Sequence, residues 1–429
     1  MAQEPQQSEP VEEFEREPVP PRALLGLKSY VGMFAGEHVA GTELTIGPLF
    51  LAAGVSAFDF VVGLLVGNLL AVLSWTFFTA PIATRCRLTL YYQLERICGR
   101  KLVTAYSVAN GVMFTVLAGA MVTVSTTALG VHFNFSMPEL TDTLPTGLGW
   151  VVAVLLTGAL FSLTAAYGYR FLARFANIAA PWMVMGFVAF GVIGLHQMGL
   201  DSPGDFWEVA STAIWTGGAP QAGQVKFTFW HVMFFAWFCN MAWHIGMADL
   251  SVFRFAKKAW YGLASAAGMY IGHFMAWIAA STLYAVQLEQ DPSNTAVLPG
   301  PLAYRACGLA GLVASVCALF PIVPMRLLDF VALWAMILMP MGAVVFVDFW
   351  LLPRFGLRRD FAQVAGRSFN WAAGVAWLLS LVFCVTVIGL YGRDKLYFVS
   401  LPGWFVTALV YIGASKAMQK GSLASTCHV

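Results

Sequence analysis

Ionisable side chains occur inside an apolar stretch near the start of the chain. Residues 32–47 read GMFAGEHVAGTELTIG, which places Glu37, His38 and Glu43 among apolar residues. A charge near the centre of a bilayer costs about 2.5–3.5 kcal/mol on insertion scales. A carboxylate or imidazole at such a position can bind a cation or take up a proton if water reaches it. We therefore predict that this stretch binds a cation or a proton and contributes to a binding site.

The small residues of the same stretch favour a break in the helix. Gly36, Gly41 and Gly47 weaken a helix, and the hydroxyls of Thr42 and Thr45 can bond to freed backbone groups. The ionisable side chains would then lie at an unwound point that water can reach, with Gly36 and Thr42 as part of the site. The alternative is that the membrane span begins after this stretch, which would leave the carboxylates at an aqueous helix end.

The composition is that of a polytopic membrane protein. Of the 429 residues, 59% are hydrophobic and 11% are charged, whereas a soluble domain has about 25% charged residues. The net charge of +2 provides no field that would attract nucleic acid. We expect all spans to be helices, because backbone in lipid must satisfy its own hydrogen bonds. The lipid bilayer is the expected surrounding, and no nucleic-acid partner is expected.

Eleven apolar segments can be placed along the chain, and the loops between them alternate in charge. The segments lie at about 26–54, 57–80, 102–130, 148–167, 172–196, 227–248, 260–286, 301–323, 326–350, 370–391 and 397–415. Lys and Arg mark the cytoplasmic side, which predicts a cytoplasmic N-terminus in a plasma or inner membrane. The loop charges require an odd number of crossings between 287–299 and 351–369, although 301–350 has room for two. The chain therefore has eleven or twelve membrane segments, with one re-entrant or one missing.

Three regions are predicted. Residues 1–24 are acidic and proline-rich and are expected to form a disordered cytoplasmic tail. Residues 25–416 form the membrane domain, and residues 417–429 form a C-terminal tail. The seven cysteines and seven histidines show no spacing typical of a metal site. No P-loop or hydrolase motif occurs, so we predict neither an enzyme nor a cofactor.

Several strings resemble the nucleobase–cation symporter family, which contains cytosine permeases and hydantoin transporters. They are FVVGLLVGNLLAVLSW (60–75), MADLSVFRFAKKAWYG (247–262), FVALWAMILMPMGAVVFVDFWLLPRFG (330–356) and NWAAGVAWLLSL (370–381). The resemblance implies an all-α, leucine-transporter-type bundle, built as a five-plus-five inverted repeat. Helices 1 and 6 of such a bundle are broken at the membrane midplane, where substrate and ion bind.

Segment 227–248 and the third segment supply the predicted substrate contacts. Aromatic faces such as Trp243 suit stacking on a planar heterocycle, and the amide of Asn240 can donate and accept at once. The resemblance places the family's aromatic contact at Phe238, or at Asn240 if the alignment shifts by two residues. Asn110 and Phe114 stand where the family has a stacking tryptophan. The alternatives are packing or interfacial roles for the tryptophans, and an interhelical hydrogen bond for Asn110.

Gating and ion coupling are less defined by the sequence. Asp249 and Arg254 could form a salt bridge that closes an inner gate, or an ordinary charge pair at a helix end. The resemblance implies a sodium site completed by small polar residues of helix 8, whereas 301–323 offers only Ser315. The coupling ion is therefore predicted as a proton or sodium, with a preference for the proton at Glu37, His38 or Glu43.

Together these features predict a cation-coupled secondary importer of a small planar nitrogen heterocycle that works by alternating access. One alternative is a transporter of amino acids or other small solutes on the same fold. Another is a membrane sensor or scaffold that transports nothing. The sequence does not indicate the oligomeric state.

Overall fold

The computed structural model describes residues 14–39, 43–133, 135–136, 142, 144–145, 147–166, 169–295 and 326–426. The regular elements of these residues are helical. The α-helices are α1 (Leu27–Glu37), α2 (Glu43–Ala52), α3 (Ala57–Ser74), α4 (Ala80–Cys86), α5 (Leu90–Cys98), α6 (Arg100–Phe133), α7 (Leu148–Ala166), α8 (Tyr169–Gln197), α9 (Phe206–Val209), α10 (Phe229–Phe238), α11 (Leu250–Phe253), α12 (Met275–Gln290), α13 (Leu327–Phe346), α14 (Phe361–Val364), α15 (Trp371–Tyr391) and α16 (Ser400–Thr426). A π-helix, Ala267–Phe274, leads directly into α12.

Five helices of the described residues are long and apolar enough to cross a membrane. They are Ala57–Cys86, Arg100–Thr127, Ala259–Gln290, Leu327–Leu351 and Trp371–Tyr391. Shorter apolar helices accompany them at Glu43–Ala52, Leu148–Leu163, Pro181–Gln197 and Phe229–Phe238. The protein is thus a multi-pass membrane protein. The predicted segment 301–323, on which the count of eleven or twelve depends, lies outside the described residues.

Two of the predicted spans are interrupted by breaks. The first span consists of α1, which ends at Glu37, and α2, which begins at Glu43. The span predicted at 227–248 is helical only as far as Phe238, and turns then lead to α11 at Leu250. The prediction that helices 1 and 6 are broken is therefore confirmed.

Glycines bring the helices around the breaks into close contact. A Cβ atom on Gly63 of α3 would lie 2.9 Å from the side chain of Val232 in α10. A Cβ atom on Gly47 of α2 would overlap the backbone of Trp277 in α12. Small residues allow membrane helices to approach in this way. As a result, α10 lies along α3 and α2 lies along α12, so each broken helix is braced by a continuous one.

The end of the bundle that carries Arg85, Arg87, Arg96 and Arg254 is called the basic end here. Residues 14–24, which the sequence assigned to a disordered tail, contact this end. Val19 is 1% exposed, and its N–H donates to the carbonyl of Arg87 over 3.1 Å. Arg16 forms a 2.7 Å ion pair with Glu95.

The predicted boundaries of the membrane domain therefore need correction. Residues 14–24 belong to the packed structure, whereas residues 1–13 lie outside the described residues. At the other end of the chain, α16 continues past residue 416 to Thr426.

Gly342 of α13 provides a test of this packing. A Cβ atom there would overlap the carbonyl oxygen of Ile245 and lie 2.6 Å from Cα of Gly246, in the second break. G342A should therefore lose about 1–3 kcal/mol of stability through overpacking and lower the melting temperature in detergent. G389A in α15 is the matched control, because a Cβ atom there meets nothing within 4 Å. Equal melting temperatures for the two variants would contradict this packing.

Candidate functional site

A cavity of about 140 Å³ lies between the two breaks. Ligand pockets for drug-sized molecules have volumes of about 300–1,000 Å³, so this cavity suits a smaller solute. Its walls come from α1, α2, α6, α13, the π-helix and the turns after α10. The lining residues are Glu37, His38, Glu43, Ile46, Leu117, Met121, Cys239, Asn240, Trp243, His273, Leu327, Val331 and Trp334.

Glu43 begins α2 and is 4% exposed. Its carboxylate accepts a hydrogen bond from the indole N–H of Trp277 in α12. The same indole stacks on His273, with ring centroids 4.3 Å apart and planes 13° from parallel. α12 and the π-helix therefore supply the groups that hold the second half of the first broken helix.

His38 follows the last turn of α1 and is 3% exposed. Its Nδ1 lies 3.0 Å from the carbonyl oxygen of Phe34, and its Nε2 lies 3.0 Å from Nδ2 of Asn240 in the second break. The ring of His273 approaches from the π-helix, 4.7 Å away between centroids. His38 thus joins the two breaks directly.

Glu37 and two indoles form another wall, with the ring of Phe114 behind them. The indole N–H of Trp243 donates to Oε1 of Glu37 over 3.0 Å. The ring centroids of Trp243 and Trp334 of α13 are 5.0 Å apart. The ring centroid of Phe114 of α6 lies 4.8 Å from that of Trp334. These rings present flat apolar faces and edges beside a carboxylate, which suits a planar solute with polar edges.

Carboxylates near the breaks share one kind of partner. Glu43 accepts from Trp277, Glu37 accepts from Trp243, and Asp249 accepts from Nε1 of Trp75 over 2.6 Å. An indole N–H is a donor that carries no charge. These contacts stabilise the carboxylates without placing a positive charge beside them.

Five of the predicted site residues line the cavity, and the other described ones do not. Glu37, His38, Glu43, Asn240 and Trp243 line the cavity. Phe114 lies behind them, where its ring contacts Trp243 and Trp334. The predicted ion residue Thr42 lies outside the described residues.

Other predicted contacts lie away from the cavity. Asn110 donates to the hydroxyl of Tyr91 over 2.8 Å, which corresponds to the alternative of an interhelical hydrogen bond. Phe238 is 4% exposed and its ring packs 5.0 Å from that of Phe234. Gly36 lies in the last turn of α1, beside the cavity residues and not among them.

The predicted gate pair also has a different arrangement. Asp249 accepts from Trp75, and Arg254 donates from Nη1 to the carbonyl of Phe14 over 2.6 Å. Nε of Arg254 donates to the carbonyl of Ser251 over 3.1 Å. The two side chains therefore hold different partners, and Arg254 fixes the N-terminal segment to the basic end.

The sequence reasoning missed His273, Trp277 and Trp334. The string GMYIGHFMAW (268–277) carried a signal, because it places a histidine within an apolar segment between glycines and a tryptophan. The sequence around Trp334 carried no such signal, since a tryptophan in an apolar helix most often packs against its neighbours. Its role becomes visible only when α13 is placed against the second break.

The hydrogen bond between Trp277 and Glu43 can be tested by substitution. W277F keeps an aromatic ring on His273 but removes the N–H that Glu43 accepts, which should cost about 1.5–3 kcal/mol. Thermal unfolding in detergent measures the loss. W404F is the matched control, because Trp404 is 5% exposed and its Nε1 has no partner among the described residues. A melting temperature lowered equally in both variants would contradict a special role for this hydrogen bond.

Comparison with known proteins yields solved structures of the same fold. No family model matches the sequence, and no curated protein is similar to it. Mhp1, a nucleobase-cation-symport-1 family transporter, in a closed conformation with bromovinylhydantoin bound, matches with a TM-score of 0.61 and 15% identity over 94% of this chain and 96% of that chain. The inward-facing conformation of Mhp1 matches with a TM-score of 0.61 and 14% identity over 96% of this chain and 93% of that chain.

A third structure broadens the comparison. A substrate-bound, outward-open Na⁺-coupled sialic acid symporter has a TM-score of 0.50 and 13% identity, over 90% of this chain and 96% of that chain. All three structures are of transporters, and none is of an enzyme. At these identities the likeness shows the fold. The chain has the leucine-transporter-type fold, with broken helices 1 and 6, that the sequence predicted.

Proposed function

We propose that the protein is a cation-coupled secondary transporter of the nucleobase–cation symporter type. It imports a small planar nitrogen heterocycle by alternating access. The observation that carries this proposal is the cavity between the two breaks, where an amide, two imidazoles and two carboxylates face an aromatic wall. Substrate and ion sites of transporters with broken helices lie at such breaks.

The cavity chemistry favours a planar heterocycle. Trp243 and Trp334 offer indole surfaces, and the amide of Asn240 can match a heterocycle edge that both donates and accepts. Mhp1, which shares the fold, was solved with bromovinylhydantoin bound. These observations support a solute of the nucleobase or hydantoin class.

The charges of the cavity argue against an anionic substrate. Glu37 and Glu43 both line the cavity, and no Lys or Arg is among its described lining residues. Like charges that share a poorly hydrated site repel strongly. A neutral or cationic solute is therefore favoured over an acid such as the substrate of the sialic acid symporter.

The same carboxylates support coupling to a cation. Two carboxylates at an unwound point of a membrane helix can hold a proton or attract sodium. The basic end carries Arg85, Arg87, Arg96 and Arg254, so we propose that it faces the cytoplasm. The N-terminus and the loop at α5 would then lie inside the cell, at the plasma membrane.

Ligand-dependent stability tests the substrate class. The purified protein would be melted with cytosine, uracil, hydantoin, bromovinylhydantoin, alanine or sialic acid, in sodium and in potassium. A ligand of the folded state adds about 2.7 kcal/mol at a hundredfold excess over its dissociation constant. We expect a rise in melting temperature with a heterocycle. A rise with alanine or sialic acid alone would contradict the proposed class, and no rise in folded protein would favour the sensor.

A pair of asparagine substitutions tests the location of the site. N240A removes an amide that lines the cavity, and it should weaken heterocycle binding at least tenfold, as expected for a lost hydrogen bond of about 1.5 kcal/mol. N110A removes an amide that bonds to Tyr91 outside the cavity, and it should leave the affinity unchanged. Radioligand binding measures both. Loss of binding in N110A with retention in N240A would place the site elsewhere.

A further inference from the structure

The hydrogen bond between His38 and Asn240 has a direction that depends on protonation. Nδ1 of His38 lies 3.0 Å from the carbonyl oxygen of Phe34. A carbonyl oxygen only accepts, so Nδ1 carries a hydrogen. In the neutral ring Nε2 is then an acceptor, and the NH₂ group of Asn240 donates to it over 3.0 Å.

Adding a proton to His38 reverses this hydrogen bond. Both nitrogens of an imidazolium are donors, so Nε2–H needs an acceptor. Asn240 can supply one by turning its amide over, which places its oxygen against His38 and its NH₂ group on the other side. Because Asn240 lines the cavity, the amide edge that a solute meets changes from an acceptor to a donor.

We propose that Asn240 reports the protonation state of His38 to the substrate. A carbonyl of the substrate accepts from the Asn240 NH₂ group when Nε2 of His38 carries a proton taken from water outside. When that proton leaves Nε2 for water on the cytoplasmic side, the amide turns back and the carbonyl loses its donor. The proposal rests on the proposed function and deepens it, since it assigns the coupling ion as a proton and His38 as its carrier.

The surroundings of His38 fix its ring. A Cβ atom on Gly268 would lie 2.5 Å from Nδ1 of His38, and one on Gly272 would overlap the His38 backbone. Both glycines belong to the π-helix Ala267–Phe274. Such wide turns frequently occur at functional sites. With the imidazole held this closely, the change falls on the amide of Asn240, whose Nδ2 otherwise has a weak contact, 4.0 Å from Sδ of Met269.

Two carboxylates and a second imidazole lie near His38. From α1 and α2, Glu37 and Glu43 line the cavity with negative charge that can balance an imidazolium. From the π-helix, His273 lies 4.7 Å away between ring centroids, and its Nδ1 has no partner in the described residues. Two imidazolium rings at this separation would repel.

The remaining elements around the cavity add little charge. The second break contributes Cys239 beside Asn240. Trp75, which directly follows α3, lies edge-on to His38 and contacts both His244 and Asp249. α6 and α13 contribute apolar and aromatic lining residues, namely Leu117, Met121, Leu327, Val331 and Trp334.

The test is the pH dependence of substrate affinity. The dissociation constant of cytosine, uracil, hydantoin or bromovinylhydantoin, whichever raises the melting temperature, would be measured between about pH 5.5 and 8.5. If one proton binds with the substrate, the dissociation constant rises with pH, by up to about tenfold per pH unit. In H38Q an amide that does not titrate replaces the imidazole, so the slope should be lost whatever the absolute affinity.

Two further histidine variants act as controls. H273Q changes the other imidazole of the cavity and should keep the slope. H231Q should also keep it, because His231 lies near the start of α10 and bonds to Thr228. Loss of the slope in H273Q, or its retention in H38Q, would overturn the assignment to His38. If a heterocycle binds with a dissociation constant independent of pH, this inference fails while the proposed function stands.

Calorimetry gives a measurement that needs no variant. Binding to the wild-type protein in two buffers of different ionisation heat counts the protons taken up, and we expect the count to approach one per substrate at the alkaline end of this pH range. Uptake of none would overturn the proposal even if H38Q did not fold. If none of the four heterocycles raises the melting temperature, the proposed function and this inference fall together.

Discussion

Two helices stop inside the apolar bundle, and the backbone groups released at each stop need partners that lipid cannot provide. At the first break, Nδ1 of His38 bonds to the carbonyl of Phe34. At the second break, turns after Phe238 are closed by backbone hydrogen bonds, such as that from the N–H of Ala248 to the carbonyl of Ala242 over 3.0 Å. The two breaks are also joined to one another, because the side chain of Asn240 forms a hydrogen bond with that of His38. The site is therefore a consequence of how the bundle tolerates its interrupted helices.

The same constraint explains the tryptophans around the cavity. A buried carboxylate with no partner is costly, and a Lys or Arg partner would neutralise the charge that the proposed coupling requires. Trp277 and Trp243 each donate an N–H to a carboxylate and bring no charge of their own. The ring of Trp243 also lines the cavity, and that of Trp277 stacks on His273, which lines it. One residue type thus stabilises the ionisable groups and shapes the space beside them.

Local sequence predicted the fold and several of the residues that line the cavity. Glycines next to ionisable residues in 32–47 predicted the first break, since both features are unfavourable in an uninterrupted membrane helix. The partners of these residues could not be predicted, because His273 lies far along the chain and reaches His38 only through the packing of the π-helix. The hydrogen-bond partner of Asn110 could not be predicted either. An amide in an apolar helix needs a partner, but the sequence does not show which side of the helix supplies it.

The central claim is that the two breaks form the binding site. An electron cryomicroscopy map of the protein with a saturating heterocycle that raises its melting temperature tests this claim most directly. The account predicts density in the cavity between Asn240 and the indoles of Trp243 and Trp334, with the ring plane against an indole. Ligand density at any other place, with this cavity unchanged, would contradict it.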